Sequence, residues 1–499
     1  MKGRKRGKRG SKVKKVKLCD EYVLEYNPLL DLMSRRGPNV ALLFPAPYKV
    51  AVQSLGFQLI YALLIAHGVR VERFTSDSCG RSLESGTPLH KFDLILASAS
   101  FELDYPHLAS YLREYNKGVP VIVGGLSPTA NPIPILDVAD AVALGDAEPF
   151  IPKLVEFLFS NDLDSLIELD NVVTRDKRGR KAVSELDVTL SKEFLPISVE
   201  PPWGKGFLVE VTRGCKWTCK FCLEGWVNKP FRERELSAIK EVLWQVDKPF
   251  EKIITISLSL GDYSMVREYL EELVKIREEK GMIGSVPSLR LDTLNEDLVE
   301  LIKQIGQKTV TIAPETLNPL KAKFLGKGFN SDLLEEKIEI ITKYKLKPKI
   351  YMMLIPGEKE EMAKEEAEKL KKLVGKNVHI SVNPLIPKPW TPLQSAPIPK
   401  GVPFKPFVET FPYVDTYPEE WARLQAALSL AKNPLSKEIR LGRPEKILKE
   451  LNSRGLINLK ELEGWRLNYD EPWLENEVGN RELIRKLGLE SYEVWKSIL

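Results

Sequence analysis

Short apolar runs alternate with segments of helical periodicity through the first third of the chain. Apolar positions at helical spacing predict helices at 52–66 and near 105–115, with another that ends at residue 159. Five short apolar runs predict buried strands at 40–45, 69–74, 92–98, 119–123 and 139–144. Strands that alternate with helices indicate a parallel sheet covered on both faces, so residues 39–160 are predicted to form one α/β domain.

The same alternation resumes at residue 206. Between the two regions, a polar stretch at 174–181 and several prolines predict a linker over 161–205. The second region contains six predicted strands, at 206–212, 253–258, 288–291, 309–313, 349–354 and 379–383. Helical patterns separate them, at 236–246, 264–280 and 296–304. These repeats predict a second α/β domain at 206–392, and the pattern at 393–499 predicts a mainly helical region.

Basic residues are concentrated at the start of the chain. Residues 1–17 carry ten Lys or Arg and no acid, whereas the remainder has 64 basic and 69 acidic residues. With almost nothing apolar to bury, this segment is predicted to be a disordered basic tail. It could bind RNA phosphates or anionic lipid headgroups, and a solubilising extension remains an equal alternative.

Composition restricts the class of protein further. The 499 residues include five cysteines, which are too few for a disulfide framework, and reduced thiols predict a cytoplasmic protein. No apolar run is long enough to span a membrane, and no apolar segment follows the basic start as it would in a signal peptide. Scarce Gln beside abundant Lys, Glu, Ile and Leu favours a thermophile, such as an archaeon.

The strongest chemical signal is a cluster of three cysteines. Cys215, Cys219 and Cys222 have the spacing C-x3-C-x2-C, with Phe221 just before the last of them. Three thiolates on one loop can hold three irons of a [4Fe–4S] cluster, which leaves the fourth iron open. A zinc site is the alternative, but zinc usually takes four ligands and the sequence contains no second cysteine pair or H-x3-H.

This motif resembles that of the radical S-adenosylmethionine (SAM) superfamily. The resemblance implies a partial (β/α)6 TIM-type barrel whose first strand delivers the cysteine loop. It also implies that the open iron binds the amino and carboxylate groups of SAM. An electron from a donor such as a ferredoxin or flavodoxin then cleaves SAM, and the 5′-deoxyadenosyl radical abstracts hydrogen from a substrate.

The resemblance assigns further residues to SAM. Phe221 occupies the aromatic position near the adenine. Ser259, Gly261 and Asp262 stand where the family often has Gly-Gly-Glu, although an ordinary strand-to-helix turn would look much the same. Residues 353–358 resemble the adenine-binding strand, with Ile355 and Gly357 at its end.

Two charged residues at predicted strand ends are further candidates. Arg290 could pair with the SAM carboxylate through a bidentate bond, and Glu315 could face the ribose or the substrate. Structural ion pairs are the alternative for both.

The first domain resembles the cobalamin-binding-like domain of one large radical SAM branch, which includes an uncharacterised bacterial and archaeal group. The segments 230–234 and 387–392 also resemble that group. The histidine motif that binds cobalt is absent, so cobalamin either binds without it or the domain serves substrate binding. The glycine-rich turns at strand ends, where such folds bind ligands, supply the cobalamin candidates Gly56, Gly124, Gly125, Gly145 and Glu148.

The predicted fold is therefore α/β, with a Rossmann-like parallel-sheet domain before the barrel. Three functions follow from these patterns. The first is a radical SAM enzyme that modifies RNA or protein, for instance by cobalamin-dependent methylation. The second is radical modification of archaeal membrane lipid, such as carbon–carbon bond formation. The third is a non-catalytic iron–sulfur protein that binds nucleic acid.

Overall fold

The computed structural model describes residues 13–34, 36–186, 197–198, 205–247, 249–328, 331–466 and 481–498. These residues form mainly parallel sheets covered by helices, so the predicted α/β class is confirmed. Within them, no helix combines the length and the apolar character needed to cross a membrane.

The first domain contains a six-stranded sheet in the order β4-β3-β5-β6-β7-β8. Its strands are β3 (Asn39–Phe44), β4 (Arg70–Thr75), β5 (Leu94–Ser98), β6 (Val121–Gly124), β7 (Ala141–Ala143) and β8 (Val172–Val173). The first five are parallel. Its helices are α1 (Tyr48–Ala51), α2 (Leu55–Ala66), α3 (Asp104–Tyr115), α4 (Leu126–Ala130) and α5 (Phe150–Ser160). Strand order reverses at β3 and β5, whose carboxyl ends therefore border a crevice of the kind that binds ligands in such folds.

The predicted linker is partly wrong. Val172 and Val173 are buried and pair antiparallel with β7, because two adjacent apolar residues can cover the open edge of the sheet. Ala182 also bridges Gly145, so residues beyond the predicted boundary at 160 pair with the first domain. The prolines at 196, 201 and 202 lie outside the described residues.

The predicted disorder of residues 13–17 is also wrong. They form β1 (Val13–Lys17), which pairs antiparallel with β2 (Tyr22–Tyr26), and β2 pairs with β9 (Ile197–Ser198). Val16 and Val23 face each other and are buried, which gives this segment an apolar face. Residues 1–12 lie outside the described residues.

A disulfide joins Cys19 to Cys79, so the prediction of reduced thiols is wrong for these two residues. The bond attaches the turn between β1 and β2 to the first domain. Intracellular proteins of hyperthermophiles also contain disulfides, so the bond does not contradict a cytoplasmic location.

The second domain contains two parallel sheets joined by a bridge between Leu289 and Ile312. One has β10 (Gly206–Glu210), β13 (Lys252–Ile256) and β14 (Ile283–Ser285). The other has β15 (Thr309–Glu315), β16 (Lys347–Leu354), β17 (His379–Pro384) and β18 (Tyr413–Thr416). A short antiparallel pair, β11 (Thr212–Arg213) and β12 (Arg232–Glu233), precedes and follows the cysteine loop.

Two predictions for this domain need correction. The third strand is Ile283–Ser285 and not 288–291, because Pro287 cannot donate a ladder hydrogen bond and separates the strand from Leu289. The region after 392 also contributes a parallel strand, β18. The two described parallel sheets of the second domain therefore contain seven strands and not six.

Helices cover the outside of these sheets. They are α6 (Leu223–Val227), α7 (Leu236–Gln245), α8 (Val266–Lys280), α9 (Glu296–Gln304), α10 (Pro319–Leu325), α11 (Ser331–Lys343) and α12 (Glu360–Val374). The C-terminal region adds α13 (Lys405–Thr410), α14 (Glu419–Ser429), α15 (Pro444–Ser453), α16 (Leu459–Leu462) and α17 (Arg481–Ile498). Their apolar stripes pack onto one core that runs through the second domain and two that border the first.

The carboxyl ends of the two domains' strands face each other. Glu102, just beyond β5, binds Lys388, just beyond β17, with both carboxylate oxygens 2.6 Å from the ammonium. The indole of Trp390 donates to the carbonyl of Ala130 at 3.0 Å. A ligand bound at the end of one sheet therefore lies near the end of the other.

Candidate active site

The cysteine loop leaves the first barrel strand through a turn that requires glycine. Gly214 has φ +78°, and a Cβ there would lie 2.4 Å from the carbonyl oxygen of Asn228. The three cysteines that follow are free and half-buried. Trp226 donates to the carbonyl of Cys219 at 2.9 Å, and the amide of Cys222 donates to the same carbonyl at 3.2 Å. These bonds close the part of the loop between Cys219 and Cys222 on itself.

The thiols share one environment. Burial raises the pKa of Cys215, and burial raises the pKa of Cys222 to about 12, with Cys219 adding to both shifts. Thiols in this state become ligands when a metal displaces their protons. Among the described residues, no group of three His, Cys, Asp or Glu is placed to hold a single metal ion. Three thiolates on one short loop suit three irons of a [4Fe–4S] cluster.

Arg290 and Asp262 border the same loop. The guanidinium of Arg290 lies 3.6 Å above the ring of Trp217, and one of its nitrogens is 3.9 Å from the sulfur of Cys219. The indole of Trp217 donates to Asp262 at 2.7 Å, and Ser259 also hydrogen-bonds Asp262. The structure thus brings these predicted residues together beside the cysteines.

Sequence reasoning missed Trp217, which stands between Cys215 and Cys219. An aromatic residue inside the cysteine spacing was the available signal. Arg290 also forms a bidentate pair with Asp292, at 3.0 and 2.8 Å. Arg290 therefore forms the structural ion pair that was the alternative. One of its nitrogens nevertheless lies near the sulfur of Cys219.

Gly261 is required by packing within the barrel. A Cβ at this position would lie 2.1 Å from the hydroxyl of Thr293. Gly261 therefore lets the turn after β13 approach the turn after Arg290. The close approach brings two of the predicted SAM elements together.

Glu315 ends β15 in a conformation that residues other than glycine rarely adopt. Its φ is +67°, and the pairing register shifts between Ile312 and Glu315. Its carboxylate lies 2.9 Å from the ammonium of Lys327. Backbone of this kind is concentrated at functional sites, where it directs a side chain away from the regular strand.

The predicted adenine-binding segment is a tight turn after β16. Ile355 is buried, and its carbonyl accepts from the amide of Glu358 at 3.2 Å. Gly357 has φ +77°, which the turn requires. Phe221 packs against the same apolar cluster that contains Ile355. Phe221 and this turn therefore border one region, as the resemblance implies.

The cobalamin candidates have a different explanation. A Cβ on Gly125 would lie 2.2 Å from the carbonyl oxygen of Ala99, and one on Gly145 would lie 2.1 Å from that of Ala182. Both glycines have positive φ. The approach of the protein's own backbone is enough to require glycine at both positions.

The other three candidates do not complete a binding site for cobalamin. Glu148 forms an ion pair with Arg213 at 2.7 Å. Gly124 makes an ordinary contact, and Gly56, exposed at the start of α2, has no neighbour within 4 Å of a Cβ. These residues do not form a fitted cobalamin site, so we derive no step of the reaction from cobalamin.

Arg213 connects the cysteine loop to the first domain. Besides Glu148, it binds Asp146 at 3.1 Å and Glu210 at 2.8 Å. Burial alone would raise the pKa of Asp146 and Glu210, but the cations around them hold each pKa below its ordinary value. On the other side of the loop, Trp226 belongs to the core that borders the first domain. The first domain therefore contacts the cysteine loop through the ion pairs of Arg213 and through the core that contains Trp226.

Comparison with known families explains this arrangement. The profile of the radical SAM superfamily matches residues 209–370, and that of the N-terminal region of radical SAM proteins matches residues 71–168. The chain is a radical SAM enzyme. The radical SAM domain implies a [4Fe–4S] cluster and SAM, and the three-cysteine loop lies within the matched residues.

Curated relatives of this radical SAM enzyme occur in archaea. An uncharacterized protein of Methanocaldococcus jannaschii is 29% identical over 364 residues, which are 71% of this chain and 78% of the relative. A protein of Pyrococcus horikoshii named as an uncharacterized methyltransferase is 25% identical over 264 residues, 50% of this chain and 57% of the relative.

Among solved structures, the enzyme shares its fold with the radical SAM methyltransferase TsrM of Kitasatospora setae. That structure contains cobalamin and a [4Fe–4S] cluster. The TM-score is 0.55 at 12% identity, and the match covers 72% of this chain and 77% of TsrM. At this identity the likeness concerns the fold alone.

Proposed function

We propose that this enzyme is a radical SAM methyltransferase that acts on RNA. The observation that carries the proposal is the position of the cysteine loop between the facing carboxyl ends of two parallel sheets. The ion pairs of Arg213 and Lys388 join the two sides of this junction. A substrate held there would lie between the cluster and the first domain. The shared fold with TsrM and the relative named as a methyltransferase favour methyl transfer.

The residues around the loop have separate roles in this proposal. Cys215, Cys219 and Cys222 hold the cluster, which supplies an electron and an open iron when bound. Arg290, directed at Cys219, would bind the SAM carboxylate, and Asp262 would fix the ring of Trp217 beneath it. The backbone of residues 355–357 would pair with the adenine. A ferredoxin or flavodoxin of the cytoplasm would supply the electron.

RNA is the proposed substrate because part of the basic segment 1–17 forms an exposed strand. Lys14, Lys15 and Lys17 are exposed on β1, which follows directly from residues 1–12. Exposed Tyr22 pairs with Lys17 on β2. Basic side chains beside an aromatic ring suit a phosphate backbone with unstacked bases.

A second basic surface lies between α14 and α15. Trp421, Arg443, Lys446 and Lys449 line a groove of about 700 Å³, together with Glu420 and Glu445. Within the described residues, none of the three cations has an ion-pair partner, and Trp421 is 37% exposed. Gln425 follows Trp421 by one helical turn and donates to Glu102 at the junction of the domains.

Methyl transfer is tested with labelled SAM. Anaerobically reconstituted enzyme is given reductant, SAM with a deuterated methyl group and RNA from a strain that lacks the gene, with and without cobalamin. We expect the label in one class of nucleoside, and the two arms report whether cobalamin is required. Cleavage of SAM with no labelled RNA, or label in lipid from the same strain, would contradict the proposal.

RNA binding is tested through the groove. Replacing Lys446 and Lys449 by Ala should lower the salt dependence of binding to single-stranded RNA by about 1.4 in log–log slope, if each contacts one phosphate. Replacing the exposed Lys364 and Lys369 of α12 removes the same charge elsewhere and is the matched control. Equal slopes for both double variants, or stronger binding to anionic vesicles than to RNA, would count against RNA.

A further inference from the structure

The C-terminal helix α17 packs against the region predicted to bind SAM. Its buried residues Val494 and Ile498 share an apolar cluster with Ile355 of the adenine turn and Leu385, just beyond β17. Phe221 of the cysteine loop packs against the same cluster. A helix more than a hundred residues distant in sequence therefore borders the predicted adenine site.

Trp495 binds the adenine turn directly. Its indole donates to the carbonyl of Pro356 at 2.9 Å. The ring is held in place by Trp465 and Tyr492, whose centroids lie 5.3 and 6.2 Å away. One turn earlier on α17, the hydroxyl of Ser491 donates to the carbonyl of Phe324 at 3.2 Å. The helix is thus fixed to α10 and to the turn.

The other side of the turn is fixed by buried charges. Glu358 accepts from the amide of Ile355 at 3.0 Å and binds Lys321 at 2.8 Å. Lys321 also binds Glu366 at 2.6 Å. All three charged side chains are buried. The turn is therefore held between this triad and the indole of Trp495.

We propose that Trp495 is a positioning residue for SAM and that α17 forms part of the SAM site. If the adenine is recognised by backbone groups of residues 355–357, affinity depends on where that backbone lies. A hydrogen bond to the carbonyl of Pro356 fixes a residue of the turn to which the buried triad makes no hydrogen bond among the described residues. This inference rests on the placement of the adenine at this turn.

The test is Trp495→Phe, which keeps an aromatic ring and removes the N–H donor. We expect SAM to bind the reconstituted protein about three- to tenfold more weakly, as the loss of one hydrogen bond allows. Iron content should match the wild type. Tyr492→Phe is the control, because Tyr492 lies in the same aromatic cluster and has no hydrogen bond to the turn among the described residues.

Two outcomes would overturn the proposal. One is SAM affinity in Trp495→Phe equal to that of the wild type; the other is an equal loss of affinity in Tyr492→Phe. If the wild type itself binds its cluster but not SAM, the placement of SAM fails and the role of Trp495 fails with it. Methyl transfer to a different substrate would leave this result unaffected.

Discussion

The attachment of the cysteine loop to the first domain should depend on Arg213. Replacing Arg213 by Met removes its ion pairs with Asp146, Glu148 and Glu210. Asp146 keeps Arg232, and Glu210 keeps Arg234. Glu148 loses the ion-pair partner that the described residues give it, and it is buried.

The expected cost follows from that difference. Removing one partner of a buried ion pair costs about 3–5 kcal/mol, chiefly because the other charge is left without a partner. Since two of the three carboxylates keep a cation, we expect a value near the lower limit, about 3 kcal/mol. Glu148→Gln leaves Arg213 with two carboxylates and should cost about 1 kcal/mol. The double variant should cost less than the sum, with a coupling energy of about 1–2 kcal/mol.

Urea unfolding of the four proteins in this cycle measures the coupling. The iron content after reconstitution is the second readout, because Arg213 is two residues from Cys215 and its loss should loosen the loop. Arg267→Met is the control: its pairs with Glu271 and Asp297 are exposed, so its cost should stay within about 0.5 kcal/mol.

Additive costs for Arg213→Met and Glu148→Gln would refute this reasoning, because they would show that the two side chains do not depend on each other. If the iron content of Arg213→Met stays unchanged while its stability falls as expected, the ion-pair network joins the domains but does not support the cysteine loop.

Two further outcomes can be checked directly. Replacing Cys215, Cys219 and Cys222 together by Ala should abolish the iron and the electron paramagnetic resonance signal that responds to SAM; full retention of iron would exclude the assignment. Burial raises the pKa of Asp104 to about 7 from its ordinary 3.8, so its stabilising contribution is present below pH 3.8 and lost as the pH rises through 7. The free energy of unfolding of Asp104→Asn relative to the wild type should therefore rise between pH 4 and 8, by on the order of 2–4 kcal/mol in urea unfolding. A difference between the two proteins that stays constant with pH would contradict the shift.

The elements that sequence predicted best are those with a clear local period. The five parallel strands of the first sheet and the helix at 296–304 follow from apolar spacing alone, because each buries one defined face. The strand at Ile283–Ser285 was missed because it is short and Pro287 follows it. The strand Tyr413–Thr416 was missed because it is mostly exposed at the edge of its sheet and has little apolar signal.

The candidate site likewise has one part that the sequence predicts and another that it does not. Cysteine spacing is local, so the cluster loop was predictable from a few residues. The contacts of Arg213 with Glu148 and of Trp495 with Pro356 join distant parts of the chain. No periodicity or spacing encodes such contacts, because they depend on how whole domains pack.

The glycines show where the physical argument from sequence reaches its limit. A glycine at a strand end indicates that something approaches the backbone closely, but it does not identify what approaches. At Gly125 the neighbour is the carbonyl of Ala99, so a larger residue would distort the domain whether or not a corrinoid binds. Gly56, by contrast, is exposed at the start of α2 with no neighbour within 4 Å of a Cβ, so Ala is tolerated there by the protein itself. Loss of a bound corrinoid in Gly56→Ala would therefore report on the ligand, whereas the same loss in a Gly125 variant would report only on the fold.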